Sequence, residues 1–197
     1  MSSERTLYGL VLAGGNSRRM GQDKAAMRRG GQSQLEFAFD LLARLTSRQF
    51  VSVRAGQAGD PLRARFPRIV DRDENIGPLA GILAALGEYP ASDWLVVACD
   101  LPNLELQTLR YLVENAPPGE ALVAYRSSVD GMPEPLCALY RAESAPILRR
   151  AVNNGSGCPR KIMQQNGVHL LQLPNPAALH NVNTPEDLEA IHQGAVQ

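Results

Sequence analysis

Leu12-Ala13-Gly14-Gly15-Asn16-Ser17-Arg18-Arg19-Met20-Gly21-Gln22-Asp23-Lys24 follows directly on a short apolar run, Leu7–Leu12. The run is β-compatible and predicts a buried first strand. That strand empties into a loop holding Gly14, Gly15 and Gly21 beside Arg18, Arg19 and Lys24. Glycines let the backbone approach a ligand closely and expose N–H groups that cradle anionic oxygens. Three cationic side chains in the same loop add charge where a polyphosphate needs it. The stretch points to a nucleoside-triphosphate loop.

Two better-known phosphate loops do not fit. A Walker A loop reads Gly-x-x-x-x-Gly-Lys-Ser/Thr, whereas five residues separate Gly15 from Gly21 here and Gln22-Asp23 follow. The dinucleotide fingerprint Gly-x-Gly-x-x-Gly fails on spacing as well, because Gly14-Gly15-Asn16 opens the loop. A lone Gly-Gly is usually a plain turn, but a thirteen-residue string of this kind is not.

Outward from the loop, strand and helix signals alternate. Ser33-Gln34-Leu35-Glu36 has the form of a capping box, and Leu35, Phe39, Leu42 and Leu45 predict a helix to about residue 47. Phe50 to Val53 predicts a second strand, and 54–67, rich in Gly, Pro, Arg and Ala, reads mostly as loop. Arg68-Ile69-Val70-Asp71 is a short strand ending in a carboxylate. Gly77-Pro78-Leu79-Ala80-Gly81 opens a helix with Pro78 in its first turn and Ile82, Leu83 and Leu86 buried. Trp94 to Ala98 is a central strand that runs into Cys99-Asp100-Leu101-Pro102. In open parallel sheets the ligand crevice lies beyond the carboxyl ends of the strands, which is where Asp100 falls. A strand-end Asp alone is more often a turn or cap residue. Beside the glycine loop, a catalytic or metal-binding carboxylate is the stronger expectation.

Further on, a helix over 104–113, a strand over 121–125, an extended segment over 134–140 and a helix over 143–152 are predicted. Pro133 and Pro135 place the 134–140 segment at a sheet edge or give it an irregular start. Asn153-Asn154-Gly155-Ser156-Gly157 ends the helix as a turn or a substrate loop. Arg160-Lys161 opens a short helix, and Val168 to Leu173 is a last extended segment. In Asn181-Val182-Asn183-Thr184-Pro185-Glu186-Asp187 the second half is helix-start chemistry, which leaves two alternating asparagines unexplained. The alternation implies an α/β chain with a mostly parallel central sheet and helices on both faces.

Composition narrows the function. The chain has 197 residues, 44% of them hydrophobic and 20% charged, which fits one soluble domain spanning 1–197 with a sizeable core. Net charge is zero, so nothing steers it to nucleic acid or an anionic membrane, and any anion site must be local. The N-terminus Met-Ser-Ser-Glu-Arg-Thr lacks signal-peptide character, and no apolar run is long enough to span a bilayer. Cys99, Cys137 and Cys158 are widely spaced, which suggests reduced thiols in a cytoplasm; His169, His180 and His192 show no metal-ligand spacing. Of 20 basic residues only Lys24 and Lys161 are lysines, which fits Lys24 being kept as a compact point charge.

Leu-Ala-Gly-Gly-x-Ser-x-Arg-Met-Gly-x-Asp-Lys resembles the signature of the molybdenum cofactor guanylyltransferases, the MobA-type nucleotidyltransferases. Asp71 with Gly77–Gly81, Cys99–Pro102 and Asn181–Asp187 extend the likeness in the same order over most of the chain. The related cytidylyltransferases more often begin Leu-Ala-Ala-Gly, so Gly14-Gly15 leans toward guanine. The resemblance implies a three-layer, Rossmann-like nucleotidyltransferase fold of the GT-A-like kind. It implies GTP contacts at Leu12, Ala13, Gly14, Gly15, Lys24, Asp71 and Asp100, Mg²⁺ on Asp100, and a pterin acceptor, molybdopterin, near Asn181 and Asn183. Lys24, Arg18 and Asp100 are then the catalytic set, with transient contact to molybdenum-enzyme maturation proteins. Two stretches depart from the family pattern. Arg54-Ala55-Gly56 stands where members can carry a guanine-contacting Asn, and Gly157–Lys161 has no counterpart in the pattern.

The implied reaction moves GMP from GTP to the terminal phosphate of molybdopterin. That phosphate is already an anionic nucleophile, so no Ser-His or Cys-His pair is needed, and the sequence offers none. Alternatives on the same scaffold are a cytidylyltransferase or a sugar-phosphate nucleotidyltransferase. Outside enzymes, the alternative is a non-catalytic GTP-binding maturation adaptor.

Overall fold

The computed structural model describes residues 5–15, 23–29 and 31–180. Strand β1 (Leu7–Leu12) lies in the middle of the sheet, bonded in parallel to β2 (Arg48–Val53) on one side and to β4 (Asp93–Ala98) on the other. The short β3 (Arg68–Val70) pairs in parallel with β2. Beyond β4 come β6 (Pro133–Tyr140), antiparallel to both its neighbours, then β5 (Leu122–Arg126) and β7 (His169–Gln172). The order is β3-β2-β1-β4-β6-β5-β7. Among the described strands of this sheet, β6 alone runs against the rest.

Strand residues alternate between two cores, as the two-residue side-chain period requires. Val11, Val51, Val53, Leu95 and Val97 pack on one face with Leu35, Leu41 and Leu42 of α1 (Gln34–Ala43) and Leu109 and Leu112 of α3 (Leu106–Glu114). Leu10, Phe50, Trp94 and Val96 pack on the other with Leu79, Ile82 and Leu86 of α2 (Pro78–Glu88), Leu148 of α4 (Ser144–Asn153) and Ile162 of α5 (Pro159–Gln165). Three layers result. Because both faces are covered, the central strands are near-continuously apolar.

Local signals set several boundaries. Ser33 and Glu36 form the capping box in both directions, with the Glu36 N–H donating to Ser33 Oγ at 3.2 Å and the Ser33 N–H to Glu36 Oε2 at 2.8 Å. Helix α1 stops at Ala43 rather than near residue 47. Leu45 N and Thr46 N both return to the Leu42 carbonyl, and the Thr46 hydroxyl donates there too, tightening the last turn. Pro78 occupies the first turn of α2 as expected. Pro159, one residue ahead of Arg160, opens α5. A two-residue hairpin, Arg28–Arg29 with Gln32–Ser33, joins the loop region to α1 and had no sequence signal of its own.

Of the two readings of Pro133 and Pro135, the irregular start holds and the sheet edge does not. β6 lies between β4 and β5, but its pairing with β4 begins only at Cys137, so the prolines face no donor-demanding neighbour on that side. Toward β5 the register jumps between Ala124 and Tyr125, and the Tyr140 hydroxyl donates to the Pro135 carbonyl at 2.9 Å. The bulged stretch carries Leu136 to the cleft described next.

Candidate active site

A cleft opens beyond the carboxyl ends of β1, β2, β3 and β4. Leu12, Ala13, Gly14 and Gly15 line it from β1, Ser52 and Arg54 from β2, Asp71 from the residue after β3, and Ala98, Cys99 and Asp100 from β4. Asp23, Lys24 and Ala25 close it from the far end of the glycine loop, and Gly77 and Pro78 from the start of α2. Segments far apart in sequence thus meet where parallel topology places the ligand crevice.

Two pairs define its chemistry. Lys24 Nζ donates to Asp100 Oδ2 at 3.1 Å, with both side chains about a fifth to a quarter exposed. A cation and a carboxylate are therefore held at the water-accessible mouth. The Ser52 hydroxyl donates to Asp71 Oδ1 at 2.7 Å, and Ser52 itself is buried. Asp71 Oδ2 lies toward Gly14, where an added Cβ would come within 3.2 Å of it. The carboxylate is fixed against the loop backbone.

The Gly-Pro-Leu-Ala-Gly segment now has a steric reason. A Cβ on Gly81 would lie 2.1 Å from Ser52 Oγ and 2.8 Å from Ser52 Cβ. Only glycine lets α2 approach β2 closely enough for Ser52 to hold Asp71.

Cys99 lines the cleft but is no nucleophile. Burial, reinforced by the Asp100 charge, pushes its thiol up to about 12, so it stays protonated near neutral pH. Cys99, Cys137 and Cys158 are all free thiols, the first two buried and the third exposed. Among the described residues no three or more His, Cys, Asp or Glu are placed so that together they could hold a metal ion. Mg²⁺ does not require one, since it is commonly held by one or two carboxylates and substrate phosphates. Asp100, at the cleft mouth, suits that role.

The structure brings together Leu12, Ala13, Gly14, Gly15, Lys24, Asp71 and Asp100. Arg18, Arg19, Asn181 and Asn183 lie outside the described residues. Arg54 does reach the cleft wall, at the position where the family pattern can have Asn. Ser52, Asp23 and Leu136 also line the cleft, beyond the residues expected from the sequence. Ser52 had one signal, a lone hydroxyl in an otherwise apolar strand end.

No helix among the described residues is long and apolar enough to cross a membrane. The MobA-like NTP transferase domain matches residues 9–170. A molybdenum cofactor biosynthesis bifunctional protein from Synechocystis sp. is 39% identical over 96% of this chain, which spans only 55% of that longer protein. A probable molybdenum cofactor guanylyltransferase from Nostoc sp. is 34% identical, with 94% of this chain and 90% of the relative covered. The crystal structure of molybdopterin-guanine dinucleotide biosynthesis protein A from Archaeoglobus fulgidus superposes with a TM-score of 0.78 at 24% identity, over 95% of this chain and 98% of that one. With a family model matched over residues 9–170 and a relative 34% identical over nine-tenths of both chains, the chain belongs to the MobA-like NTP transferase family.

Proposed function

We propose that this chain is a molybdenum cofactor guanylyltransferase. An oxygen of the terminal phosphate of molybdopterin attacks the α-phosphorus of GTP, a new P–O bond forms, the bond to the β-phosphate breaks, and pyrophosphate leaves. The product is the guanine dinucleotide form of the cofactor. The observation that carries this reading is the meeting of Lys24 with Asp100 at 3.1 Å beside the glycine loop, 76 residues apart in sequence.

Joining two anions makes positioning and charge neutralisation the main catalytic tasks. We assign triphosphate neutralisation to Lys24 and Arg18, backbone contacts to Leu12 through Gly15, and nucleotide positioning to Asp71. Asp100 would hold Mg²⁺, which when bound supplies charge neutralisation at phosphate oxygens. The Cys99 thiol, protonated and buried, takes no part. Asn181 and Asn183 are assigned to the pterin acceptor by resemblance. Three free thiols support a reducing compartment, the cytoplasm, and the product passes by transient contact to maturation proteins of the recipient enzyme.

The test is pyrophosphate release with Mg²⁺, molybdopterin and each of GTP, CTP, ATP and UTP. Release with GTP alone supports the assignment and makes Arg54 the residue to study for base recognition. Release with CTP alone moves the chain to the cytidylyl branch. Silence with all four, in protein that binds GTP, rejects molybdopterin as the acceptor and leaves a different acceptor or the non-catalytic reading.

A further inference from the structure

Residues 55–67 contribute nothing to the cleft lining, yet one side chain from them reaches the loop that does. Arg63 is only 1% exposed. Its Nε and Nη2 donate to the Ala13 carbonyl at 3.1 and 2.9 Å. Nη1 and Nη2 form a fork onto Asp23, at 2.6 Å to Oδ2 and 2.9 Å to Oδ1. Nη1 also donates to Asp60 Oδ1 at 3.1 Å. A guanidinium carries five N–H donors, and each of these five bonds takes one.

The partners are not arbitrary. Ala13 is the last residue before Gly14, and Asp23 is the residue before Lys24, so Arg63 grips the glycine loop at its entrance and its exit. Asp23 Oδ1 also accepts from the Ala25 N–H at 3.1 Å, capping the turn that contains Lys24. We infer that Arg63 is a positioning residue, a buried clamp that joins the two ends of the glycine loop and thereby sets Lys24 opposite Asp100. A planar fork can hold a carbonyl and a carboxylate at once in fixed geometry, which a lysine ammonium cannot. Burial opposes the guanidinium charge, but the bonds to Asp23 and Asp60 outweigh it and the group is held more firmly cationic than usual. The clamp is therefore present throughout the neutral range.

The catalytic consequence rests on the proposed function, whereas the clamp itself does not, and two measurements separate them. In nucleotide-free Arg63→Lys protein, hydrogen exchange is expected to quicken in 13–15 and 23–27 while the β4 and α2 segments keep wild-type protection. Unchanged exchange at both loop ends would overturn the clamp, whatever nucleotide the wild type uses. With the nucleotide that the wild type does use, Arg63→Lys is expected to lower kcat/KM by about ten- to a hundredfold, as small misplacements of catalytic groups do. Placed on Lys24→Ala, the same change should add less than about threefold, because a clamp acting through Lys24 has nothing left to position. Losses that multiply in full in the double variant would reduce Arg63 to general stability. If Arg63→Lys does not fold, Asp23→Asn replaces it, since it keeps an acceptor for the Ala25 N–H but removes the charge facing Arg63. The same expectations then apply.

Discussion

Lys24 and Asp100 sit 3.1 Å apart across the cleft mouth, one just past the glycine loop and the other just past β4. The pairing keeps a cation and a carboxylate side by side at the mouth of the cleft, where the proposed function needs charge for the triphosphate and its metal.

Replacing either partner with alanine is expected to lower turnover at least about a hundredfold, as loss of one key electrostatic group commonly does. Steady-state pyrophosphate release on folded variants checks this. Near-normal turnover in Asp100→Ala would remove the metal role, and near-normal turnover in Lys24→Ala the phosphate role.

Gly81→Ala probes the link between α2 and the Asp71 carboxylate without altering Lys24 or Asp100. The new methyl would collide with Ser52 Oγ at 2.1 Å, and Ser52 cannot yield without releasing Asp71. Overpacking of this kind costs about 1–3 kcal/mol. We expect a lower melting temperature together with roughly tenfold weaker nucleotide binding by calorimetric titration. Unaltered binding would show that Asp71 does not depend on Ser52 or does not contact the nucleotide.

The capping box gives a pH signature. Hydrogen bonds from the Ser33 N–H and hydroxyl, with the nearby Arg65 guanidinium, hold the Glu36 carboxyl below its ordinary value of 4.5. A depressed folded-state value means this contribution is complete above about pH 4.5 and is lost as pH falls through the lower, folded value. Glu36→Gln should therefore melt below wild type at pH 7, with the gap closing as pH drops beneath 4.5. A gap that stays constant across that range would assign the effect to packing rather than charge.

Thiol accessibility follows from burial. Native protein is expected to show one rapidly titrating thiol, Cys158, and three after denaturation without reductant, since Cys99 and Cys137 are buried. Fewer than three in the denatured protein would reveal a disulfide.

The chain's fold class and most of its cleft were legible in order along the sequence. The apolar run into Gly14-Gly15, the strand ending at Asp71, Pro78 at a helix start and the strand ending at Asp100 are local patterns, because strand period, caps and glycine turns act over a few residues. Parallel topology then places their carboxyl ends together. What lay beyond sequence was every contact that depends on distant chain meeting distant chain. The prolines of β6 left an edge and an irregular start both open, and the fold decides for the second, since pairing with β4 starts past them. Gly81 is small because of Ser52, a residue on another strand. Arg63 looks like solvated loop, yet it is buried because Ala13, Asp23 and Asp60 converge to take all five of its donors. Whether a charged side chain is buried depends on partners that only the folded chain can bring to it.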